Sequence, residues 1–151
     1  MKAKILFPLI ALGLIVVMAI YFLLNPSYEK SLEAKYYYEI GQYQKAYELA
    51  NEAFSMDLYN RMASTIMAQS KTSMKYQKYV NDAKKYLREI NEIVAKDNIS
   101  AADRAKIKIM SEIMVDAYVK LAPSVITDKA LVQEAARYYK NFEQILEKVS
   151  G

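Results

Sequence analysis

Apolar residues run almost without interruption from position 5 to position 24, and a charged, periodic sequence follows them. The apolar run carries no charged side chain. As a helix that rises about 1.5 Å per residue, it would be roughly 30 Å long, which matches the hydrocarbon core of a bilayer. The pattern predicts a transmembrane helix over 5–24, a short tail over 1–4 and one helical domain over 25–151.

Beyond position 24, apolar residues recur at steps of three and four, as they do on one face of an amphipathic helix. No alternating strand pattern is present, so we predict an all-α fold. The chain has only 3 Gly and 3 Pro, which also favours helices over a sheet with many turns. The expected elements are about six antiparallel helices, over residues 26–40, 42–56, 58–72, 76–94, 100–122 and 127–149.

Capping residues mark several of these helix ends. Asn25 is a good cap, and Pro26 suits the first helical position. Gly41 is the residue best able to adopt the left-handed conformation that ends the first helix of the domain. Ser100 has Asp103 three residues further on, as in a capping box. The N-terminal caps expected for the third, fifth and last helices are Asp57, Ser100 and Thr127.

Apolar stripes predict which face of each helix is buried. In the first helix of the domain, Leu32, Tyr36 and Ile40 form such a stripe, with Tyr37 beside them. In the fifth helix the stripe consists of Ala105, Ile109, Ile113, Ala117 and Leu121, with Met110, Met114 and Tyr118 widening the face. The three tyrosines over 36–38 cannot all point inward, because successive helical residues turn by about 100°. We expect at least one of these rings to meet solvent, a membrane or a partner.

The composition limits the chemistry available to the chain. It contains no Cys and no His, which excludes disulfides and thiolate metal sites and removes the commonest general base at neutral pH. There is no Gly-rich phosphate loop and no nucleophile elbow. Carboxylate pairs alternate with lysine on open helix faces, where their pKa values would not be split. We expect no enzymatic activity, catalytic residue, cofactor, metal site or small-molecule substrate.

Positive charge is distributed unevenly about the apolar run. The net charge is +4, and Lys2 and Lys4 supply two of these charges, which leaves +2 for the rest of the chain. Charges of both signs are intermixed there, so no nucleic-acid partner is indicated. Because positive residues stay on the cytoplasmic side of a membrane, we predict a cytoplasmic tail and a periplasmic or otherwise extracytoplasmic domain.

The apolar run is expected to remain attached as a signal-anchor. It is longer than the core of a usual signal peptide, and its exit offers no small-x-small cleavage pair. A cleaved signal peptide is the alternative. Tyr21 and Tyr28 bracket the outer end of the run and are expected at the membrane interface, with ordinary packing as the alternative.

Four alanines, two tyrosines and a glycine turn fall together in the hairpin over 27–57. They are Ala34, Tyr37, Gly41, Tyr43, Ala46, Ala50 and Ala53. This pattern resembles a tetratricopeptide (TPR) repeat, which is a helix, a turn and a helix in about 34 residues. A degenerate repeat would follow over 58–97 with its turn near 73–75, and a capping helical hairpin over 100–149. The resemblance implies a TPR-like helical solenoid, and a generic helical bundle is the alternative.

The resemblance implies protein binding, since TPR domains are partner scaffolds whose first helices line a concave surface. The partner-binding residues that it suggests are Lys30, Lys35, Tyr38, Arg61, Thr65 and Gln69; for any one of them, a solvated helix face is the alternative. We expect an adaptor or scaffold for other membrane or envelope proteins, in secretion, translocation, motility or division machinery, with the bilayer contacted through 5–24. The alternatives are a small integral subunit held mainly through its transmembrane helix, and an enzyme.

Overall fold

The structure is a computed structural model that describes residues 2–123 and 127–151, with side chains from residue 6 onward. Within these residues the chain is all-helical and contains no strand, which confirms the all-α class. The helices are α1 (Lys2–Leu24), α2 (Pro26–Glu39), α3 (Tyr43–Met56), α4 (Arg61–Val94), α5 (Ala101–Val119) and α6 (Lys129–Ser150). The chain forms two compact units, Met1–Lys71 and Thr72–Gly151.

The first helix, α1, is the one that the apolar run predicts. It begins at Lys2, slightly earlier than expected, and ends at Leu24. Its apolar part, Leu6–Leu24, spans 19 residues, and none of it is buried in the protein. Among the described residues, this helix is long and apolar enough to cross a membrane.

The start and end of α2 follow the predicted signals. Asn25 is extended, and its Oδ1 accepts a hydrogen bond from the backbone N–H of Ser27 at 3.0 Å, while Pro26 occupies the first helical position. Gly41 has a φ of +78°, in the left-handed region where a glycine carries no steric cost. The turn is closed by a hydrogen bond of 2.9 Å from the N–H of Gln42 to the carbonyl of Tyr37.

Small residues line the contact between α2 and α3. The buried residues of α3 are Tyr43, Ala46, Ala50 and Ala53, all of which belong to the signature of the hairpin over 27–57. Ala34 of α2 packs against Ala46 and Ala50 and is also fully buried. Side chains of this size let two helix backbones approach closely, so the small-residue pattern correctly identifies this crossing.

The predicted core stripe of α2 is wrong. Leu32, Tyr36 and Ile40 are 55%, 59% and 48% exposed. The helix buries Ser27, Ser31 and Ala34 instead. The larger residues are excluded because the close approach to α3 leaves no room for them, and the serines are accepted because each finds a hydrogen-bond partner.

Three buried polar side chains join the start of α2 to the end of α3 and the start of α4. The Oγ of Ser27 donates to the carbonyl of Ala53 at 2.8 Å, and the Oγ of Ser31 donates to the carbonyl of Ser27 at 2.9 Å. The Nδ2 of Asn60 donates to both serine Oγ atoms at 2.8 Å, and its Oδ1 accepts from the N–H of Ala63 at 3.0 Å. We call these side chains the Ser27–Ser31–Asn60 network.

The cap of α4 differs from the prediction. Asn60, through its bond to the N–H of Ala63, caps the helix that begins at Arg61. Asp57, the predicted cap, ends α3, and its Oδ1 accepts a hydrogen bond from the N–H of Tyr59 at 2.9 Å. Asn60 serves better because its amide also donates into the buried network, which a carboxylate cannot do.

A single continuous helix, α4, replaces two predicted helices. The separate helices over 58–72 and 76–94, with a turn near 73–75, are therefore wrong. No Gly or Pro occurs between positions 57 and 98 to end a helix. A serine such as Ser73 lowers helix stability by only about half a kcal/mol, which is too little to break the helix.

Large side chains form the core of the second unit. The buried residues come from α4, α5 and α6, and they are Tyr76, Tyr79, Val80, Ala83, Ile90, Ile93, Ile107, Met110, Met114, Ala135 and Phe142. Phe142 has no exposed surface, and Met114 is 1% exposed. Burial of large apolar surface is therefore the main stabilising contribution in this unit.

The buried face of α5 matches the predicted one only in part. Met110 and Met114, which belong to the widened face of the prediction, are buried together with Ile107, whereas Ile109 and Ile113 of the stripe are 55% and 47% exposed. This helix carries apolar residues on more than one side, so periodicity alone does not select the face. The unbranched methionines adapt their shape to the aromatic core, which favours the face that the structure buries.

The start of α5 is the predicted capping box. The Oγ of Ser100 accepts a hydrogen bond from the N–H of Asp103 at 3.0 Å, and the Oδ2 of Asp103 accepts one from the N–H of Ser100 at 3.1 Å. The helix ends at Val119, three residues before the predicted 122.

The cap of α6 is Asp128 rather than Thr127. The Oδ1 of Asp128 accepts hydrogen bonds from two backbone N–H groups in the first turn of α6, at 2.9 and 3.4 Å. A carboxylate at this position also interacts favourably with the helix dipole. The predicted connection before it includes residues 124–126, which lie outside the described residues.

Candidate partner-binding groove

A groove lies between α2 and the first turns of α4 in the first unit. It encloses about 490 Å³ and is lined by Lys35, Tyr38, Glu39, Arg61, Met62, Thr65, Ile66 and Gln69. Five of the six partner-binding residues suggested by the sequence lie in it, namely Lys35, Tyr38, Arg61, Thr65 and Gln69. We call this feature the α2–α4 groove.

Helical spacing explains how α4 builds one side of the groove. Arg61, Thr65 and Gln69 are four residues apart, so they follow one another along the same face of the helix. Met62 and Ile66 stand beside them with the same spacing; Ile66 is 4% exposed and Met62 is half-buried. The groove therefore combines an apolar base with polar side chains along its edge.

The charges of the groove are only partly paired. Lys35 and Glu39 of α2 form an ion pair at 3.8 Å in which both side chains are about 60% exposed. Such a pair contributes little to stability and is easily exchanged for a partner's charge. Arg61 takes part in neither of the two ion pairs described in this unit, so its guanidinium is available to a carboxylate from outside.

The sixth predicted residue, Lys30, lies outside the groove. Its Nζ donates a hydrogen bond to Oε2 of Glu52 on α3 and forms an ion pair with it. This hydrogen bond, followed by the attraction of the same carboxylate, raises the pKa of Lys30 above its ordinary value. Lys30 thus connects α2 with α3, and the structure does not bring it to the other candidates.

The three consecutive tyrosines have three different surroundings. Tyr36 is 59% exposed, as the prediction of an exposed ring requires. The hydroxyl of Tyr37 accepts a hydrogen bond from Nζ of Lys45 at 2.8 Å, and this bond is the main cause of a raised pKa for Lys45. Tyr38 forms one wall of the groove, and its ring centroid lies 5.3 Å from that of Tyr43. Tyr38 is therefore the tyrosine of the three that a ligand in the groove would touch.

The two tyrosines expected at the membrane interface lie near the junction of α1 and α2. Tyr21 is 61% exposed on α1. The ring of Tyr28 is half-buried and packs edge-to-face on Phe22, with the ring centroids 4.6 Å apart. This aromatic contact joins α2 directly to the apolar helix.

The residues of the repeat signature all belong to the α2–α3 hairpin. Ala34, Ala46, Ala50 and Ala53 are fully buried and Tyr43 is 5% exposed, while Gly41 forms the turn and Tyr37 is half-buried. The signature therefore describes this hairpin well. The assignment of the whole chain to the TPR class stays a prediction.

Three lining residues of the groove were not among the predicted binding residues. They are Glu39 of α2 and Met62 and Ile66 of α4. The sequence does contain a signal for them. Met62 and Ile66 each directly follow a polar residue of the row Arg61 and Thr65, and Glu39 stands at the end of α2. Among the described residues, no group of three or more Asp or Glu side chains is arranged to hold a metal ion.

A second groove, of about 390 Å³, lies in the second unit and was not predicted. It is lined by Lys75, Lys78, Tyr79, Asp82, Tyr86, Ile113, Met114, Ala117 and Leu121. Lys78 is paired with Asp82 at 2.8 Å. The buried hydroxyl of Tyr79 has no hydrogen-bond partner among the described residues, and burial is the main cause of its raised pKa.

Comparisons with known proteins add no relative to this picture. No protein-family model, no curated protein and no solved structure gives a significant match to the chain. Its function is therefore inferred from its residues and their geometry.

Proposed function

We propose that this chain is a membrane-anchored, extracytoplasmic adaptor whose α2–α4 groove binds a segment of another envelope protein. The observation that carries the proposal is the convergence of Lys35, Tyr38, Arg61, Thr65 and Gln69 on one groove with an apolar base. Pockets that bind ligands commonly combine apolar walls with a few polar groups that fix orientation. An antiparallel, TPR-like hairpin formed by α2 and α3 would support one wall.

The groove favours a partner segment that carries both an apolar side chain and a carboxylate. The apolar side chain would pack on Ile66 and Met62, and the carboxylate would pair with Arg61. An arginine can hold a carboxylate through two parallel hydrogen bonds, which gives orientation as well as affinity. Tyr38 adds a rigid aromatic wall of the kind that contributes strongly to binding.

The membrane anchor and its orientation are part of the same proposal. The wholly exposed apolar surface of Leu6–Leu24 needs a lipid or protein environment. Lys2 and Lys4 precede that surface, while the first lysine after it is Lys30, so the positive-inside rule favours an extracytoplasmic domain. The domain would then present its groove to proteins of the periplasm or an equivalent compartment.

A second function is favoured by the same exposed apolar surface. The chain would be a small integral subunit of a larger complex, held mainly by α1 between other transmembrane helices. In that case substitutions in the groove would leave the complex intact.

Affinity purification of the full chain from its native membranes tests the adaptor proposal. Thr65→Arg places a large cation on an exposed groove position, and Ser55→Arg places the same residue on the exposed face of α3 as a matched control. We expect the wild type and Ser55→Arg to recover the same associated protein, and Thr65→Arg to lose it while its circular dichroism stays unchanged. Equal recovery with both variants would contradict binding in the groove.

A further inference from the structure

The connection between α3 and α4 displays large apolar side chains to the surroundings. Met56, Leu58 and Tyr59 are 55%, 68% and 91% exposed. The backbone that carries them is a fixed turn, since Oδ1 of Asp57 accepts from the N–H of Tyr59 at 2.9 Å and the carbonyl of Asp57 accepts from the N–H of Asn60 at 3.1 Å. We call residues 56–59 the α3–α4 turn.

Hydrogen bonds hold this turn close to the end of the apolar helix. Ser27 follows Leu24 by three residues, so it lies within about 11 Å of Leu24 even if the intervening chain were fully extended. The Oγ of Ser27 is bonded to Ala53, near the end of α3, and to Asn60, directly after the turn, both at 2.8 Å. The turn therefore lies at the end of the first unit from which α1 emerges.

The length of α1 sets the level of the bilayer surface. At about 1.5 Å per residue, the 19 residues of Leu6–Leu24 are roughly 28 Å long, close to the thickness of the hydrocarbon core. Leu24 then lies at the hydrocarbon boundary. The headgroup layer extends about 5–7 Å further on each side, which is the region that Asn25 and Ser27 occupy.

We propose that the α3–α4 turn inserts into the bilayer that α1 crosses and forms a second membrane contact. Tyr59 would lie at headgroup level, where its ring is apolar and its hydroxyl is hydrated, and Leu58 and Met56 would reach the upper acyl chains. The inference rests on the part of the proposed function in which α1 spans a membrane. The exposed side chains Met56, Leu58 and Tyr59 would make this contact, while Asp57 turns its Oδ1 to the N–H of Tyr59, so no cation of the turn calls for an anionic lipid.

The second contact also fixes the position of the α2–α4 groove. Arg61 follows Asn60 directly and lines one end of that groove. With the turn in the headgroup layer, this end of the groove faces the membrane surface. The segment bound there would belong to a partner region that lies close to the bilayer.

Site-specific fluorescence in vesicles tests this contact on the full chain. The chain has no native cysteine, so Tyr59→Cys and Gln42→Cys each give one labelling site; Gln42 is exposed in the other interhelical turn of the unit. Tyr21→Cys, on α1, reports whether the anchor is in the membrane. Each variant is labelled with a small fluorophore and reconstituted in phosphatidylcholine vesicles that contain nitroxide-labelled lipid.

We expect the emission at positions 59 and 21 to be lost to the lipid-borne quencher and the emission at position 42 to be retained. Leu58→Cys, at another exposed position, should behave as position 59 does. Quenching at 21 with full emission at 59 and 58 would overturn the second contact and leave the anchor intact. Full emission at 21 would overturn the anchor itself, and with it the proposed function.

A protein partner on the turn gives a different result. In native membranes, a label at position 59 that is shielded from aqueous iodide, combined with no lipid quenching in pure vesicles, would overturn the lipid contact and assign the turn to a protein. Shielding from iodide in both preparations supports the bilayer as the occupant.

Discussion

The two units of this chain are stabilised in different ways. The first depends on close contact between small residues, with Ala34, Ala46 and Ala50 packed together and a buried network of hydrogen bonds beside them. The second depends on large side chains such as Phe142 and Met114, and its buried Tyr79 hydroxyl is left without a hydrogen-bond partner among the described residues.

The difference shows what a sequence pattern can specify. Where two helices cross closely, only a face lined by small residues such as alanine can form the contact, because a larger side chain would separate the backbones. A helix with large apolar residues on several sides can bury more than one of its faces, and the packing of the neighbouring helices determines which face is buried. This is why the small-residue pattern identifies the buried residues of α3, whereas α5 buries only part of its predicted apolar face.

The largest effect is expected from Ala46→Glu in the first unit. It would bury an unpaired charge in a position with no free space and lower the free energy of unfolding by about 4 kcal/mol or more. Asn51→Glu, on the exposed face of the same helix, should have little effect. Amide hydrogen exchange should accelerate in α2 and α3 far more than in α6. Unchanged exchange in the hairpin would show that the alanine contact is wrong.

A comparable test of the second unit is Phe142→Ala. Removal of this fully buried ring should cost about 3–5 kcal/mol, with accelerated exchange in α5 and α6. Val119→Ala, at a position that is 74% exposed, is the matched control and should be close to neutral. A loss below about 1 kcal/mol would contradict a core built on large side chains.

The polar network of the first unit is tested by Asn60→Ala. This change removes the cap of α4 and both hydrogen bonds to the serines, and we expect a loss of about 2–3 kcal/mol in the free energy of unfolding. Asn98→Ala, at an exposed position, should change stability by less than about 0.5 kcal/mol. Chemical denaturation of the full chain in detergent measures both. Equal stability of the two variants would contradict a stabilising role for the Ser27–Ser31–Asn60 network.

The smallest effect concerns the capping box of α5. Ser100→Ala should cost about 1 kcal/mol at neutral pH through the lost cap. Hydrogen bonds from Lys96 and then from Ser100 lower the pKa of Asp103 to about 2 from its usual 3.8. A lowered pKa stabilises the folded state above pH 3.8, and this contribution is lost as the pH falls through about 2.

Ser100→Ala should therefore lose less stability than the wild type as the pH falls from 3.8 to about 2. Lys96→Met should have the same effect on the pH profile while it leaves the serine cap in place. Identical acid profiles for all three proteins would contradict the role of Asp103.

Much of the fold follows from local signals that the sequence states directly. Asn25, Gly41 and the Ser100–Asp103 pair were recognised because a cap or a left-handed turn requires a particular residue type. The continuity of α4 was missed, although no Gly or Pro interrupts it, because a repeat pattern was extended beyond the hairpin that supports it. Asn60 was missed because its partners, Ser27 and Ser31, are remote in the sequence.

Five of the residues suggested for partner binding line one groove, and their role in binding stays a prediction. Arg61, Thr65 and Gln69 share one face of any helix that contains them, so their grouping does not depend on where α4 begins. Lys30 was misplaced because the sequence does not reveal its contact with Glu52. The exposed Leu58 and Tyr59 could not be assigned from the sequence, where they looked like ordinary residues at a helix start.

Photo-crosslinking in native membranes tests the central claim most directly. A photoreactive residue is placed at Thr65 in the groove and, in a second protein, at Val16 on α1. The account predicts that position 65 forms an adduct with a specific envelope protein and that position 16 yields only lipid adducts. A protein adduct from position 16 with none from position 65 would contradict the account and assign the chain to a complex through its membrane helix.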